Sequence, residues 1–390
     1  MKPPTRVVLR LAARQSSSVS GHCSLLLAPR LIHSTPVSPA TVSPIHGTGP
    51  PPQPPRPAAD SASTRLDRRK KHAALLERAE EIRGSNRPSG NTQANPLARR
   101  RFWKHVHVRE VDGALEVHLD TRPLRRPTNK EIVRLPASKP LLAAAVALEW
   151  DQLVSAQQAT KQHLIPLTSL VNRALDIADD DAGKDIGVEK GEGEAGSTNE
   201  SLRSGIARML MRYLDTDSLL CWAPPPRHGH DAPDAAGNTL RELQRQAAEE
   251  VVAYLTTNVW PGIEIEPVLD EESIMPRGQK PETRQIIEGW IMGLDAWELA
   301  GLERAVLAGK GLLGAARLLA EWSEGFVGVK GARGAKRPYG VEEAAKMASI
   351  EVDWQIGNWG EVEDTHDVEK EDLRRQLGSV VLLVSGTGKQ

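Results

Sequence analysis

Ahead of residue 140 the apolar residues of this chain recur at every second position; beyond it they recur, with few interruptions, at every third or fourth. Val106 and Val108 alternate with His105, His107 and Arg109, and Leu115, Val117 and Leu119 alternate with Glu116 and His118, across an Asp112-Gly113 turn signal. Period two with that turn specifies a hairpin with one buried face. Ile132–Leu135 offers a third strand. Pro140 suits a first helical position, and helices are expected over Leu141–Leu153, from Pro166 to about Ala178, and over Leu202–Leu214. A short strand is expected over Ser218–Trp222, then a Pro224-Pro225-Pro226 boundary and a loop over Arg227–Asn238.

Downstream the pattern gives helices at Thr239–Asn258, Pro281–Leu294, Ala296–Ala308, Leu312–Trp322, Val341–Gln355 and Val368–Val384. Asp295 with Glu298 forms a capping box, and Ile286, Ile287, Trp290, Ile291 and Leu294 form one stripe. The expected fold class is α+β: an N-terminal α+β domain with a β-hairpin or meander (97–230), followed by a C-terminal all-helical domain (238–390). No repeat recurs at solenoid periods.

Residues 1–35 contain Arg6, Arg10 and Arg14 at helical spacing and Ser16-Ser17-Ser18, and the first carboxylate of the chain is Asp60. This is the pattern of a mitochondrial transit peptide. Residues 36–96, rich first in Pro and Ser and then in charge, read as a disordered linker. Residues 179–200, dense in Asp, Gly, Glu and Ser, read as a disordered acidic insertion. With Cys23 in the leader, Cys221 stands alone and no intramolecular disulfide is expected. A net charge of −1 favours neither nucleic acid nor an anionic membrane. No apolar run reaches the roughly 18 residues of a membrane span.

Motifs with chemistry are scarce. Gly191, Gly193 and Gly196 spell G-x-G-x-x-G, but without a preceding strand and with Glu192 and Glu194 placed to repel a pyrophosphate. Gly386-Thr387-Gly388-Lys389 has no following helix to hold phosphate. His228, His230 and Asp231 sit in a loop, and His105 and His107, with His118 across the pair, are expected as surface histidines on the hairpin's solvent face. No cofactor, metal or small-molecule substrate is therefore expected.

Trp354–Val380 is the densest region. Glu361, Glu363, Asp364, His366 and Asp367 lie between two amphipathic patterns, just past Trp359-Gly360. Asp367 is the expected N-cap of the last helix, and Glu371 and Arg375 are spaced to pair. Taken by its residues alone, the stretch is either a solvated capping loop or a docking or acid–base site.

The chain carries further blocks in a fixed order: Arg101-Phe102-Trp103-Lys104, Leu119-Asp120-x-Arg122-x-Leu124, Glu149-Trp150-Asp151, Tyr213-Leu214-Asp215-Thr216-Asp217, Pro281-Glu282-Thr283-Arg284 and Leu294-Asp295-Ala296-Trp297-Glu298-Leu299. With Trp354–Val380 they resemble the mitochondrial ATP synthase assembly chaperone that handles the alpha subunit, in its fungal form. The resemblance implies the same two-part layout and a non-catalytic matrix factor. Its partner would be the unassembled alpha subunit, whose interface it covers until the beta subunit arrives. The family's important acid, in a W-G-x-x-E pattern, falls on Glu363, and Trp359, Glu361, Asp364, His366 and Asp367 extend that surface. Trp150 matches another important position, with Asp151 beside it, and its expected role is packing between the two domains. Two other functions are compatible with the residues. One is a matrix enzyme using the Glu361–Asp367 loop, with Glu363 or Asp364 as base and His366 as acid. The other is a constitutive subunit of a matrix complex.

Overall fold

The computed structural model describes residues 101–184, 201–225, 233–234, 237–269, 275–329, 339–362 and 365–385, with helical positions at 70, 73, 74 and 77. The expected leader, the remainder of the linker, residues 185–200, His228, His230, Asp231 and Gly386–Lys389 lie outside the described residues.

Strands β1 (Val106–Val111) and β2 (Ala114–Leu119) form the expected hairpin. Asp112 and Gly113 both take positive φ, 51° and 76°, as a two-residue turn matched to strand twist requires. Val108 pairs with Val117 and His107 with His118. β2 also pairs antiparallel with β3 (Arg122–Pro123) and β4 (Arg134–Pro136), so β2 is central. That position corrects one expectation. His118 is not on a solvent face: it is buried, bonded to Glu116 at 3.1 Å and stacked on His107 at 5.7 Å between ring centroids. The flanking strands occupy the edges of β2, and side chains they carry close over the face that holds His118: His107 from β1 stacks on it and Arg134 from β4 pairs with Glu116 beside it at 3.1 Å.

The sheet packs on α1 (Pro140–Gln152), which is followed by α2 (Pro166–Asp181). Ile165 precedes α2 and supplies no capping side chain. Glu149 supplies it from α1: its carboxylate accepts from Leu167 N (2.7 Å), Thr168 N (2.9 Å) and Thr168 Oγ1 (2.9 Å). Burial pushes the Glu149 carboxyl above its usual range, opposed by those three bonds. Glu149→Ala is expected to cost about 1–2 kcal/mol, the scale of a lost helix cap. Urea unfolding would read this as a lower midpoint at constant slope, and an unmoved midpoint would show the cap idle.

α2 runs to Asp181, past the expected end at Ala178. The three acids there have defined partners. Asp179 meets buried Arg126 and Lys184, Asp180 accepts from Leu202 N, and Asp181 pairs with Arg203. They fasten α2 to the β3–β4 loop and to α3 (Leu202–Leu214). The strand expected at Ser218–Trp222 reduces to a turn and a single parallel bridge, Cys221 to Leu269, because Leu220 N turns back onto Asp217 O at 2.9 Å.

Seven helices complete the described chain: α4 (Leu240–Asn258), α5 (Pro281–Met292), α6 (Ala296–Gly309), α7 (Leu312–Trp322), α8 (Val341–Ala348), α9 (Ile350–Trp359) and α10 (His366–Ser385). Capping boxes form at Thr239/Glu242 and, as expected, Asp295/Glu298. Of the α5 stripe, Ile287, Ile291 and Leu294 are buried, whereas Ile286 faces solvent. The single helix expected over Val341–Gln355 breaks at Ser349. There Ser349 N bonds Lys346 O at 3.2 Å, a tight final turn, and Asp353 N bonds Ser349 O at 2.8 Å to begin the next. α6 is central, packed on α2, α7 and α10. Gly301 lets α10 approach it, since a Cβ there would stand 3.1 Å from Val384 Cγ1. One continuous apolar core runs from Trp103 beside the sheet to Val384 at the end of α10. The fold is α+β, a small antiparallel sheet followed by a helical region.

Candidate functional site

The acidic stretch forms the connection between α9 and α10. Gly360, at φ 94° and ψ 162°, reverses the chain after Trp359 in a conformation reserved for glycine. Its amide donates to Ile356 O at 2.9 Å. The turn is closed by His366, whose Nδ1 accepts from Val362 N (3.1 Å) and whose own amide donates to Val362 O (3.2 Å). Nδ1 as acceptor leaves the neutral imidazole with its proton on Nε2. Lys370 of α10 lies 3.4 Å from Asp353 and 3.7 Å from Glu361, tying α10 to α9 and to the loop. Asp367 is not the N-cap; it lies with Glu369 in the first turn of α10, where a carboxylate favours the helix dipole. The expected Glu371–Arg375 pair is replaced by Arg374–Glu371 (3.0 Å) and Arg375–Asp372 (2.8 Å), both at i, i+3. Glu363 and Asp364 lie outside the described residues.

The loop therefore presents apolar groups beside charge. Trp359 is 54% exposed, edge-on to Trp354 at 6.1 Å, and Val362 and Val368 are also exposed. From Glu351 to Asp372 there are nine carboxylates and a single lysine, Lys370. Such a surface attracts a basic partner and repels an acidic one.

Trp150 and Asp151 form a separate cluster, in the corner between the sheet, α1 and α2. Trp150 Nε1 donates to Thr168 Oγ1 (3.0 Å), and Trp103 Nε1 donates to Trp150 O (3.2 Å), with the two indoles 5.5 Å apart. Asp151 O accepts from Arg101 Nη1 at 2.8 Å. Among the described residues no three His, Cys, Asp or Glu are placed to share a metal ion, and no helix is long and apolar enough to cross a membrane.

One residue of consequence escaped the sequence. Asp217 is fully buried and caps α7, ninety-odd residues away. Its oxygens accept from Leu219 N (3.0 Å), Leu312 N (2.5 Å) and Leu313 N (2.8 Å). Asp217 closes the Tyr213–Asp217 block, but the sequence signal for its role is indirect: Gly311, at the N-cap of α7, has no side chain to cap with, so the acceptor must come from elsewhere.

Residues 100–256 match the model of a family described as ATP12 chaperone protein. The chain is 30% identical over 293 residues to "Protein atp12, mitochondrial" of Schizosaccharomyces pombe, covering 73% of this chain and 81% of that one. It is 28% identical over 299 residues to "Protein ATP12, mitochondrial" of Saccharomyces cerevisiae, covering 75% and 86%. Among solved structures, a mutant of P. denitrificans Atp12p superposes with a TM-score of 0.50 at 22% identity, covering 74% of this chain and 98% of that one. At that identity the likeness speaks for the fold.

Proposed function

This chain belongs to the ATP12 chaperone family, and from that premise we propose that it is an assembly chaperone for mitochondrial ATP synthase. It binds the unassembled alpha subunit in the mitochondrial matrix and covers its interface until the beta subunit takes its place. An orphan subunit exposes an apolar surface larger than a soluble monomer tolerates, and such surfaces aggregate. A protein that covers the surface keeps the subunit competent. Release then follows from competition by the true partner, so affinity is moderate and no catalysis by this chain is needed.

The observation that carries this reading is the α9–α10 knuckle, with Trp359, Val362 and Val368 exposed among the carboxylates. The exposed apolar groups supply contact area, while the acids supply steering and register toward a basic patch on the client.

The test is charge reversal. Glu363→Lys is expected to leave the melting temperature within about 2 °C, the scale of a substitution that breaks no packing or buried bond. It is expected to abolish capture of alpha subunit in a pull-down from matrix extract. Wild-type capture by this variant would show that the knuckle is not the contact.

A further inference from the structure

A concave surface lies along α6, away from the α9–α10 knuckle. Binding clefts typically measure about 300–1,000 Å³, and this groove measures about 820 Å³, bounded by the β3–β4 loop, the segment after α1, α2 and α6. Trp150, Leu170 and Leu307 give it apolar walls, and Leu307 is 44% exposed. Its polar groups fall into two sets. Arg173 and Glu303 neutralise each other in a bidentate bridge, 2.7 Å on each arm, which also fixes the spacing of α2 and α6. Asp176 is likewise taken by Arg126, and Thr168 by Glu149 and Trp150, which leaves three groups with bonding capacity to spare. Asn172 Oδ1 is buried with no hydrogen-bond partner. Arg304, half-buried in the wall, has no carboxylate partner among the described residues. Arg125, at the rim, bonds only the carbonyl of Lys130, at 2.8 Å.

A buried acceptor without a donor calls for an N–H, and guanidinium groups with donors to spare, Arg304 half-buried and Arg125 exposed at the rim, call for carbonyl or carboxylate oxygens. An extended main chain supplies both at short intervals, and the apolar walls take alternate side chains. We propose that this groove holds an extended segment of the client polypeptide, apolar residues alternating with at least one carboxylate. Its main-chain N–H meets Asn172 Oδ1 and its carboxylate meets Arg304 and Arg125. This rests on the chaperone reading and deepens it. The C-terminal end of α6, at Lys310, reaches Glu369 of α10 at 3.6 Å, so one helix links the groove to the knuckle. The client is gripped at two points of opposite charge, which sets its orientation.

The experiment uses the full chain and two probes. The first is a fluorescein-labelled decapeptide alternating leucine with aspartate, with a leucine–lysine peptide as control. The aspartate peptide is expected to bind the wild type, and binding to Arg304→Glu and to Leu307→Asp is expected to fall at least about tenfold, the cost of a like charge or a buried charge in the groove. Glu363→Lys is expected to bind this peptide as the wild type does. Melting curves check that each variant is folded, with Arg304→Gln as a milder second variant. The second probe is purified alpha subunit, whose capture Arg304→Glu is expected to weaken. Equal binding of the aspartate peptide by wild type and Arg304→Glu, no binding by the wild type, or preference for the lysine peptide each overturns the groove. This holds even where the knuckle captures alpha subunit. Charge-selective peptide binding without any capture of alpha subunit upholds the groove and removes the client reading. Tighter peptide binding after deletion of residues 185–200 would assign the groove to the chain's own acidic stretch and overturn the proposal.

Discussion

Replacing Asp217 by Ala lowers the unfolding free energy by about 3–5 kcal/mol, a large part of the ordinary margin of a domain. The loss strands three buried amides, those of Leu219, Leu312 and Leu313, which no other group reaches. Water does not replace the carboxylate easily, since Asp217 is fully buried and Gly311 closes over it: a Cβ at Gly311 would stand 2.8 Å from Asp217 Oδ1.

The same residue makes a pH prediction. Burial outweighs the three amide donors and pushes the Asp217 carboxyl up to about 6, from 3.8. A group that binds its proton more tightly folded than unfolded stabilises most below the unfolded value. That contribution fades as pH rises through the folded value. Wild type is therefore expected to lose about 2.4 kcal/mol between pH 4 and pH 7 from this group alone. Asp217→Asn, which does not titrate, removes that slope. Urea unfolding of both proteins across the range measures it, and a constant difference between them would show that Asp217 does not titrate in this window.

Trp150→Arg is the second large effect. The indole is nearly buried, packs against Trp103, and donates to Thr168 Oγ1. Thr168 is in turn held by Glu149, so one substitution loosens the corner where the sheet, α1 and α2 meet. Large aromatic truncation costs about 3–5 kcal/mol, and a guanidinium placed here adds desolvation and competes for the Glu149 carboxylate that caps α2. The melting temperature is expected to fall by about 10 °C or more. Trp150→Phe keeps most of the packing and loses one hydrogen bond, for about 1 kcal/mol. An unaltered melting curve for the Arg variant would move Trp150 from the core to a contact role. The position also lines the groove on α6, so peptide binding by the Phe variant separates the two roles.

The local signals were the legible ones. The Asp-Gly hairpin, Pro140, Pro166 and Pro281 at first helical positions, and the Asp295/Glu298 box each depend on neighbours within four residues. The chain alone therefore specifies them. The knuckle was legible for the same reason: Trp359, Glu361, His366 and Asp367 are adjacent in sequence, and Gly360 announces the reversal. Within it the pairings were not, because on a helix surface i, i+3 and i, i+4 partners compete closely, and Arg374 and Arg375 both chose i+3 geometry.

The misses share one cause. His118 looked solvent-facing because alternation shows which residues share a face but not what closes over that face, here His107 and the Glu116–Arg134 pair. Asp179–Asp181 looked like the start of a solvated run because their partners Arg126, Leu202 and Arg203 are remote in sequence. The amino-acid sequence determined where strands and helices form and where charge concentrates, since those follow from short-range periodicity and composition. Only the tertiary structure decided that Asp217 caps a helix 95 residues onward, that Glu149 caps α2, and that Asn172 and Arg304 share a groove. A buried polar group must find its partner in space, and no spacing along the chain records which one it finds.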